Sequence, residues 1–459
     1  MIINILIIVA GWISFTILFF LGSAFIYTFV KEQEWFAAVK GALVFPPLLV
    51  VYFILLITDF STQPWIILAL LVLSCIFLLL VILPFNKTQP IRIRDKQKRI
   101  DERDAFFHRF YRLEPQTPEF DAYYREHPEK MESDENIRSL PHFGKPGSKT
   151  YHPIASLFQE ATFEVIVTIT RKIEWEPIPI NEKPVQAAPA EFSQRIKGFA
   201  RYLGADLIGT TKLNPAYVYS HIGRSPGKWG QPIELNHKYA IAIAVEMSEN
   251  MIRHAPEIPT TTETAFQYLE AAKIAMVLAK YINLLGYEAR AHVNGNYRVM
   301  CIPIAADAGL GELGRLGLLV TPEFGPRVRL SIVTTNLPLI QDEPVAFGVQ
   351  HFCSFCKKCA INCPTASIDS GEKKNYSGVE KWQSDQDSCF RFWRKQGTDC
   401  AVCIKVCPYS NPNTLTHNML RWVVRRNNFA RRLAYWGDEL FYGKRRKSGF
   451  RFPEWHSIS

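Results

Sequence analysis

The chain has 459 residues, 48% hydrophobic and 21% charged, with a formal net charge of +10. Its ten cysteines do not suit a disulfide scaffold, because eight of them crowd between Cys353 and Cys407 at spacings that favour metal ligation. Nor does the charge read as a nucleic-acid surface, since the basic residues gather just after the third apolar run and again from Arg421 to Arg451.

Residues 1–84 are almost uninterrupted apolar sequence. Runs at about 2–30, 37–58 and 65–84 each approach the ~20 residues a bilayer core requires, so three membrane-spanning helices are expected. Residues 2–30 lack the basic flank of a cleaved signal, and no twin-arginine signal is present. Lys87, Arg92, Arg94, Lys96, Lys98 and Arg99 follow the third run, whereas the connection from Asp59 to Pro64 holds no basic residue. The bias predicts a multi-pass inner-membrane protein with the large C-terminal part in the cytoplasm. The connection holding Glu32 and Glu34 then faces that same side, and Lys40 can reach the interface. Pro46 and Pro47 are expected to kink the second helix. No histidine occurs in residues 1–84, so the helices offer no usual haem ligand.

Residues 85–194 are charged, Pro-rich and weakly periodic, and read as a linker merging into a covering layer. Regularity begins near Phe192 with a helix to Leu203, followed by strand-like runs at Ala205–Thr210 and Tyr239–Val245. Residues 261–285 read as one long helix stopped by Gly286, and strand-like segments return at Tyr287–His292 and Val299–Pro303. The alternation predicts an α/β or α+β core over 195–345. Cys75 and Cys301 are read as buried thiols. The Gly-rich stretch at 308–317 does not fit a nucleotide-binding fingerprint; Gly309, Gly311 and Gly314 instead suit a close approach of backbone to a large flat ligand.

The strongest signal follows. Cys353, Cys356, Cys359 and Cys363, then Pro364, form a CxxCxxCxxxCP run, the signature of a bacterial ferredoxin. Cys400, Cys403, Cys407 and Pro408 repeat its closing half, and Cys389 supplies the missing fourth ligand. Crossed ligation gives one set of Cys353, Cys356, Cys359 and Cys407 and another of Cys363, Cys389, Cys400 and Cys403, each for a [4Fe–4S] cluster. Two four-thiolate zinc sites are the alternative. Residues 346–415 thus read as a ferredoxin-type module, and 416–459 as a basic extension packing on the core. The extension is open to three readings: a solvated helix face, a membrane-surface contact, or a partner or nucleic-acid contact.

Over about residues 195–445 the sequence resembles the corrinoid-dependent reductive dehalogenases. The segments carrying the likeness are RIKGFARYLGADLIGTTKLNPAYVYS, IPIAADAGLGELGRLGLLVTPEFGPRVRL, LPLIQDEPVAFGVQHFCSFCKKCAINCP, and the CFRFW to CAVCIKVCPYS region. The resemblance implies an α+β chain with a nitroreductase-like core, cobalamin bound base-off, and two clusters that carry electrons to it. It implies reductive cleavage of carbon–halogen bonds in a small organohalide, with a quinol or a reduced ferredoxin or flavodoxin as electron donor and no nucleic-acid partner. In the family a tyrosine is the proposed acid, supported by an asparagine and an arginine; Tyr268, Asn294 and Arg327 fit those places, with Arg329 and Asn296 as near competitors. A guanidinium beside a phenol stabilises the phenolate left after proton transfer. Thr264, one helical turn before Tyr268, is expected to face the same pocket, with Tyr217, Tyr219 and Phe266 as aromatic lining.

The chain departs from the family in carrying three apolar helices of its own, and it looks like a catalytic chain fused to an anchor whose ExE pair is Glu32 and Glu34. Two other functions remain open: an epoxyqueuosine reductase-like enzyme acting on tRNA, which shares the cobalamin core and the CPT segment at Cys363, Pro364 and Thr365, and a membrane-bound electron-transfer subunit that uses the clusters alone.

Overall fold

The structure, a computed structural model, describes residues 2–58, 63–84, 99–105, 107, 109–110, 113–175, 179–224, 228–376, 378–444 and 452–456. The connection at 59–62 and the basic residues at 87–98 that set the expected orientation lie outside the described residues. The chain divides into two compact units, Met1–Thr88 with Pro412–Phe450, and Gln89–Asn411 with Arg451–Ser459.

The first unit holds helices α1 (Ile2–Lys31), α2 (Trp35–Ile57) and α3 (Gln63–Ile82), all three long and apolar enough to cross a membrane. Pro46 and Pro47 lie inside α2. Gly11 lets α1 close on the other two, since a methyl group there would press on Leu56 and Ile67. Cys75, expected to be buried, is exposed on the outer surface of α3, a face suited to lipid.

The C-terminal segment, expected to pack on the core, divides: its helices Leu415–Val424 and Asn428–Tyr442 pack on the apolar helices of this unit, whereas His456 belongs to the second unit and meets Thr262 at 3.3 Å. The packing of the helices is polar as well as apolar. Asn427 donates to the carbonyls of Leu80 at 2.9 Å and Leu83 at 2.7 Å, satisfying groups at the end of α3 that have no partner within the helix. Its Oδ1 accepts from the N–H of Ala430 and so caps its own helix. Phe441 packs its ring 5.3 Å from that of Phe29, and Lys40 donates to the carbonyl of Leu440. Glu32, expected merely to face the catalytic part, is buried, and both its carboxylate oxygens lie 3.1 Å from Nε2 of His417.

The second unit is built on a four-stranded antiparallel sheet of β1 (Leu207–Lys212), β2 (Tyr239–Glu246), β3 (Ala289–His292) and β4 (Val328–Thr335), in the order β1-β2-β4-β3. Strand β2 reads YAIAIAVE and is buried on both faces. Its Ile241, Ile243 and Val245 meet the helices Pro189–Tyr202 and Ile258–Leu284, while Ala240, Ala242 and Ala244 face a second core containing Val299, Ile304 and Leu310. The side-chain period of two thus separates a bulky face from a small one.

The segment expected as a covering layer clusters with this unit and is more regular than its sequence suggested. Helices Pro118–Glu126 and Pro128–Arg138 are fixed by Arg109, whose guanidinium pairs with the buried Asp134 at 2.7 Å and reaches Asp387 at 2.9 Å. Helix Ala155–Trp175 lies against Ile258–Leu284. The run expected as a strand over Val299–Pro303 instead opens a helix, Cys301–Asp307, in which Pro303 occupies the first turn and has no hydrogen-bond donor to waste.

Candidate functional site

Five of the eight cysteines are presented by two copies of one backbone device. Cys353 and Cys356 sit on helix Val349–Cys356, which ends at Lys357 with φ +53°, and Cys359 follows on the turn Lys358–Ile361. In the second copy Cys400 is followed by Ala401 at φ +49° and then Cys403 on Val402–Lys405. A left-handed residue after the leading cysteine swings the next turn back, so that both thiols face one centre. The two short turns pack on each other.

Charge neighbours link these thiols to one another. Burial first, and then Cys353, Cys407 and Cys356, push the Cys359 thiol well up; for Cys403 burial is followed by Cys400, Cys359, Cys389 and Cys363. Burial also pushes Cys389 and Cys400 up to about 12, each with Cys363 among its neighbours, and Cys353 up to about 11. Buried thiols so crowded become thiolates together only around bound cations. Among the described residues no three His, Cys, Asp or Glu side chains converge tightly enough to share one metal ion. The donor chemistry and spacing fit a pair of iron–sulfur clusters. Arg315, which sequence reasoning passed over inside the Gly-rich stretch, is fully buried beside the first set; it donates to the carbonyl of Cys353 at 3.0 Å and covers Trp382 at 4.4 Å.

The second constellation lies where helix Ile258–Leu284 crosses β4. Thr264 and Tyr268 occupy one helix face, and Arg329 rises from β4 on the side that also presents Ser331 to the helix carbonyl of Ala271 at 2.8 Å. The Arg329 guanidinium lies 4.8 Å from the Tyr268 ring centroid, with Nη1 3.4 Å from the phenol oxygen. Its Nη2 donates to Thr264 Oγ1 at 2.7 Å and to Asp399 Oδ2 at 3.0 Å. Burial opposes the charge on Arg329, but Tyr268 and Asp399 hold its pKa above the ordinary value. Arg327, the residue predicted here, is elsewhere. It is wholly buried and spends its donors on Ser410 O and Glu246 Oε1, both at 2.7 Å, and on Met247 O, stitching the cysteine loop to the sheet. The near competitor in sequence is therefore the neighbour of Tyr268 in space.

Asn294 is half-buried in the turn after β3 and makes no hydrogen bond to Tyr268 among the described residues. Asn296 is committed to Arg290 and to the carbonyl of Thr170. A second guanidinium, Arg224, covers the Tyr297 ring at 4.8 Å and pairs with Glu102 at 2.8 Å. Burial pushes the Tyr219 and Tyr297 phenols up and the Cys301 thiol to about 12. Tyr217, Tyr219 and Cys301 line a cavity of about 350 Å³ together with Pro303 and Gly311; Phe266, expected as a further lining residue, is 48% exposed.

The glycines fare unevenly. Gly311 lines that cavity, but the room a side chain would need is taken at Gly309 by the carbonyl of Glu343, at Gly311 by the carbonyl of Val320, and at Gly314 by Leu316 and Val320. Their small size serves the chain's own packing. An apolar wall of Tyr217, Pro303 and Ile302 beside Gly311 nonetheless suits one face of a broad, flat group.

An α+β sheet core joined to eight closely spaced cysteines marks a dicluster iron–sulfur protein, and the model of the 4Fe-4S dicluster domain matches residues 352–411. The chain is 33% identical over 315 residues to the tetrachloroethene reductive dehalogenase of Sulfurospirillum multivorans, covering 61% of this chain and 62% of that one. It is 31% identical over 332 residues to the enzyme of the same name from Dehalobacter restrictus, covering 61% and 60%. Among solved structures it is similar to the catabolic reductive dehalogenase NpRdhA in complex with 3-bromo-4-hydroxybenzoic acid, with a TM-score of 0.64 and 26% identity over 80% of this chain and 49% of that one. The chain is similar to these reductive dehalogenases, and it spans less than two thirds of the length of the relatives it matches.

Proposed function

We propose that the protein is a membrane-anchored, corrinoid-dependent reductive dehalogenase that converts a small organohalide, two electrons and a proton into the dehalogenated product and a halide ion. One observation carries the reading: Arg329 joins Tyr268, a candidate proton donor, to Asp399, the residue before the cluster ligand Cys400. Acid and electron relay therefore meet within one side chain's reach.

When bound, two [4Fe–4S] clusters and a base-off cobalamin would supply the electrons and the cobalt centre at which the carbon–halogen bond breaks. The residues of this chain do the rest. Cys353, Cys356, Cys359 and Cys407 hold one cluster and Cys363, Cys389, Cys400 and Cys403 the other. The phenol of Tyr268 gives its proton to the carbon that loses halogen, and the adjacent guanidinium of Arg329 stabilises the phenolate that remains. Thr264 fixes the guanidinium, and Asn294 closes the pocket from the turn after β3. In a nitroreductase-like core, Tyr217, Tyr219 and Gly311 would border a bound corrinoid. Electrons come from a quinol or a reduced ferredoxin or flavodoxin, with the helices α1–α3 in the inner membrane and the catalytic unit in the cytoplasm.

The test is cobalt and iron content after anaerobic maturation with corrinoid, followed by parallel assays on halogenated alkenes and phenols and on epoxyqueuosine tRNA. Cobalt with halide release supports the proposal. Full iron without cobalt, or reduction of the tRNA base alone, overturns it.

A further inference from the structure

We infer that Asp399 is a positioning residue for Arg329, and that its carboxylate, rather than the fold of its loop, keeps the guanidinium on Tyr268. The inference deepens the proposed function and rests on it.

The loop that carries Asp399 is already held without its side chain. Its backbone N–H donates to Thr261 Oγ1 at 2.7 Å, and the preceding Thr398 donates its hydroxyl to the carbonyl of Pro256. Thr398 and Thr261 are fully buried, so these bonds are shielded from water. The carboxylate is thus free of structural duty, and it is directed at Arg329, with Oδ2 3.0 Å from Nη2. The side chains of this pair are only 15% and 10% exposed, which keeps their attraction from being screened.

The need for such a partner follows from how weakly the guanidinium is otherwise placed. Toward Tyr268 it offers one long contact of 3.4 Å, and its Nε, buried, has no partner among the described residues. Thr264 Oγ1, an uncharged acceptor, takes a hydrogen bond from Nη2 at 2.7 Å. The charge-assisted bond to Asp399 is the strongest of the set by type, and with Thr264 it clamps Nη2 from two directions. Rotation of the guanidinium off the ring would break both bonds. Loss of the carboxylate leaves only the bond to the uncharged Thr264 hydroxyl to resist that rotation.

The consequence is specific. Asp399 touches neither Tyr268 nor the cavity lining, so its removal should slow the proton-transfer step without weakening substrate binding. Asp399→Asn should lower kcat about tenfold or more with KM changed less than about twofold, and Asp399→Glu should recover part of the loss. Iron content and thermal midpoint measured beside the kinetics identify any variant that fails to assemble. The decisive comparison is a cycle: in an Arg329→Gln background the Asp399→Asn change should have no further effect on kcat. A loop staple would instead cost the same in both backgrounds, and that additivity would overturn the inference.

A readout independent of turnover separates failure of the inference from failure of the proposed function. Fluorotyrosine placed at position 268 should show a shifted and broadened fluorine resonance in Asp399→Asn and none in a Lys395→Gln control. An unchanged resonance in Asp399→Asn refutes the positioning role even if the protein proves to have no dehalogenase activity. A wild-type protein that releases no halide, with the resonance shift still seen in Asp399→Asn, refutes the function and leaves the positioning intact.

Discussion

Arg329 holds its guanidinium 4.8 Å from the centre of the Tyr268 ring, while Arg327, two residues earlier, is turned away into bonds with Ser410, Glu246 and Met247. The two arginines should therefore fail differently. Tyr268→Phe and Arg329→Gln are expected to lower halide release about 10²–10⁴-fold with both clusters intact by electron paramagnetic resonance. Arg327→Gln strands Glu246 and the cysteine loop, costs roughly 3 kcal/mol, and should show first as lost soluble protein and a lower unfolding midpoint. Equal iron, equal stability and unequal rates across all three would remove the distinction.

Cys389 is far in sequence from Cys400 and Cys403 but shares their electrostatic neighbours. Cys389→Ala should halve the iron per chain and erase one cluster signal while leaving the other unchanged. Loss of both signals, or of neither, contradicts the crossed assignment.

Within the unit of apolar helices, Glu32 and His417 are a buried pair, and Thr28 meets Thr416 at 3.1 Å beside them. His417→Ala leaves a buried carboxylate without its partner, at a cost of about 3 kcal/mol. Hydrogen exchange in detergent should then speed up over Leu415–Val424. Replacing Glu32 and His417 together by Leu should restore protection, because an apolar pair carries no unpaired charge. If the double variant exchanges as fast as the single one, the pair is not what fastens this helix.

Acid should destabilise the second unit through buried histidines. Burial, then Lys405 and Arg253, lower His254 to about 4, and burial also lowers His292, His237 and His456. Above the ordinary histidine range, folded and unfolded chains are both neutral at these positions. As pH falls from about 6.5 toward 4, only the unfolded chain gains protons at His254, so stability is lost across that window. Urea midpoints measured across it should decline, and less steeply for His254→Gln. Parallel slopes for the two proteins would exclude His254 as a contributor.

Much of this was legible in the sequence, for physical reasons. The CP-terminated cysteine runs dictate ligand order, and a strand such as YAIAIAVE, buried on both faces, announces itself without a partner. Helix Ala155–Trp175 did not, because its β-branched VIVTIT centre has weak helix propensity and packing on Ile258–Leu284 decides the matter. The helix at Cys301–Asp307 was hidden likewise by an apolar run too short to show a period. The choice between Arg327 and Arg329 could not be made by spacing, since both point to the same face of an extended chain and only the start of β4 at Val328 separates them. The packing of the C-terminal helices on α1–α3 depends on Asn427 and His417, single polar residues with no pattern to betray them.

The central claim is that this chain couples a corrinoid and two clusters to carbon–halogen cleavage. The measurement that bears on it most directly is halide release, under a strong one-electron reductant, by protein carrying both clusters with and without bound corrinoid. The account expects halide to appear only in the corrinoid-loaded protein and to vanish in Tyr268→Phe. Corrinoid-loaded, fully reduced protein that releases no halide from any halogenated alkene or phenol, or release that ignores the corrinoid, would contradict it.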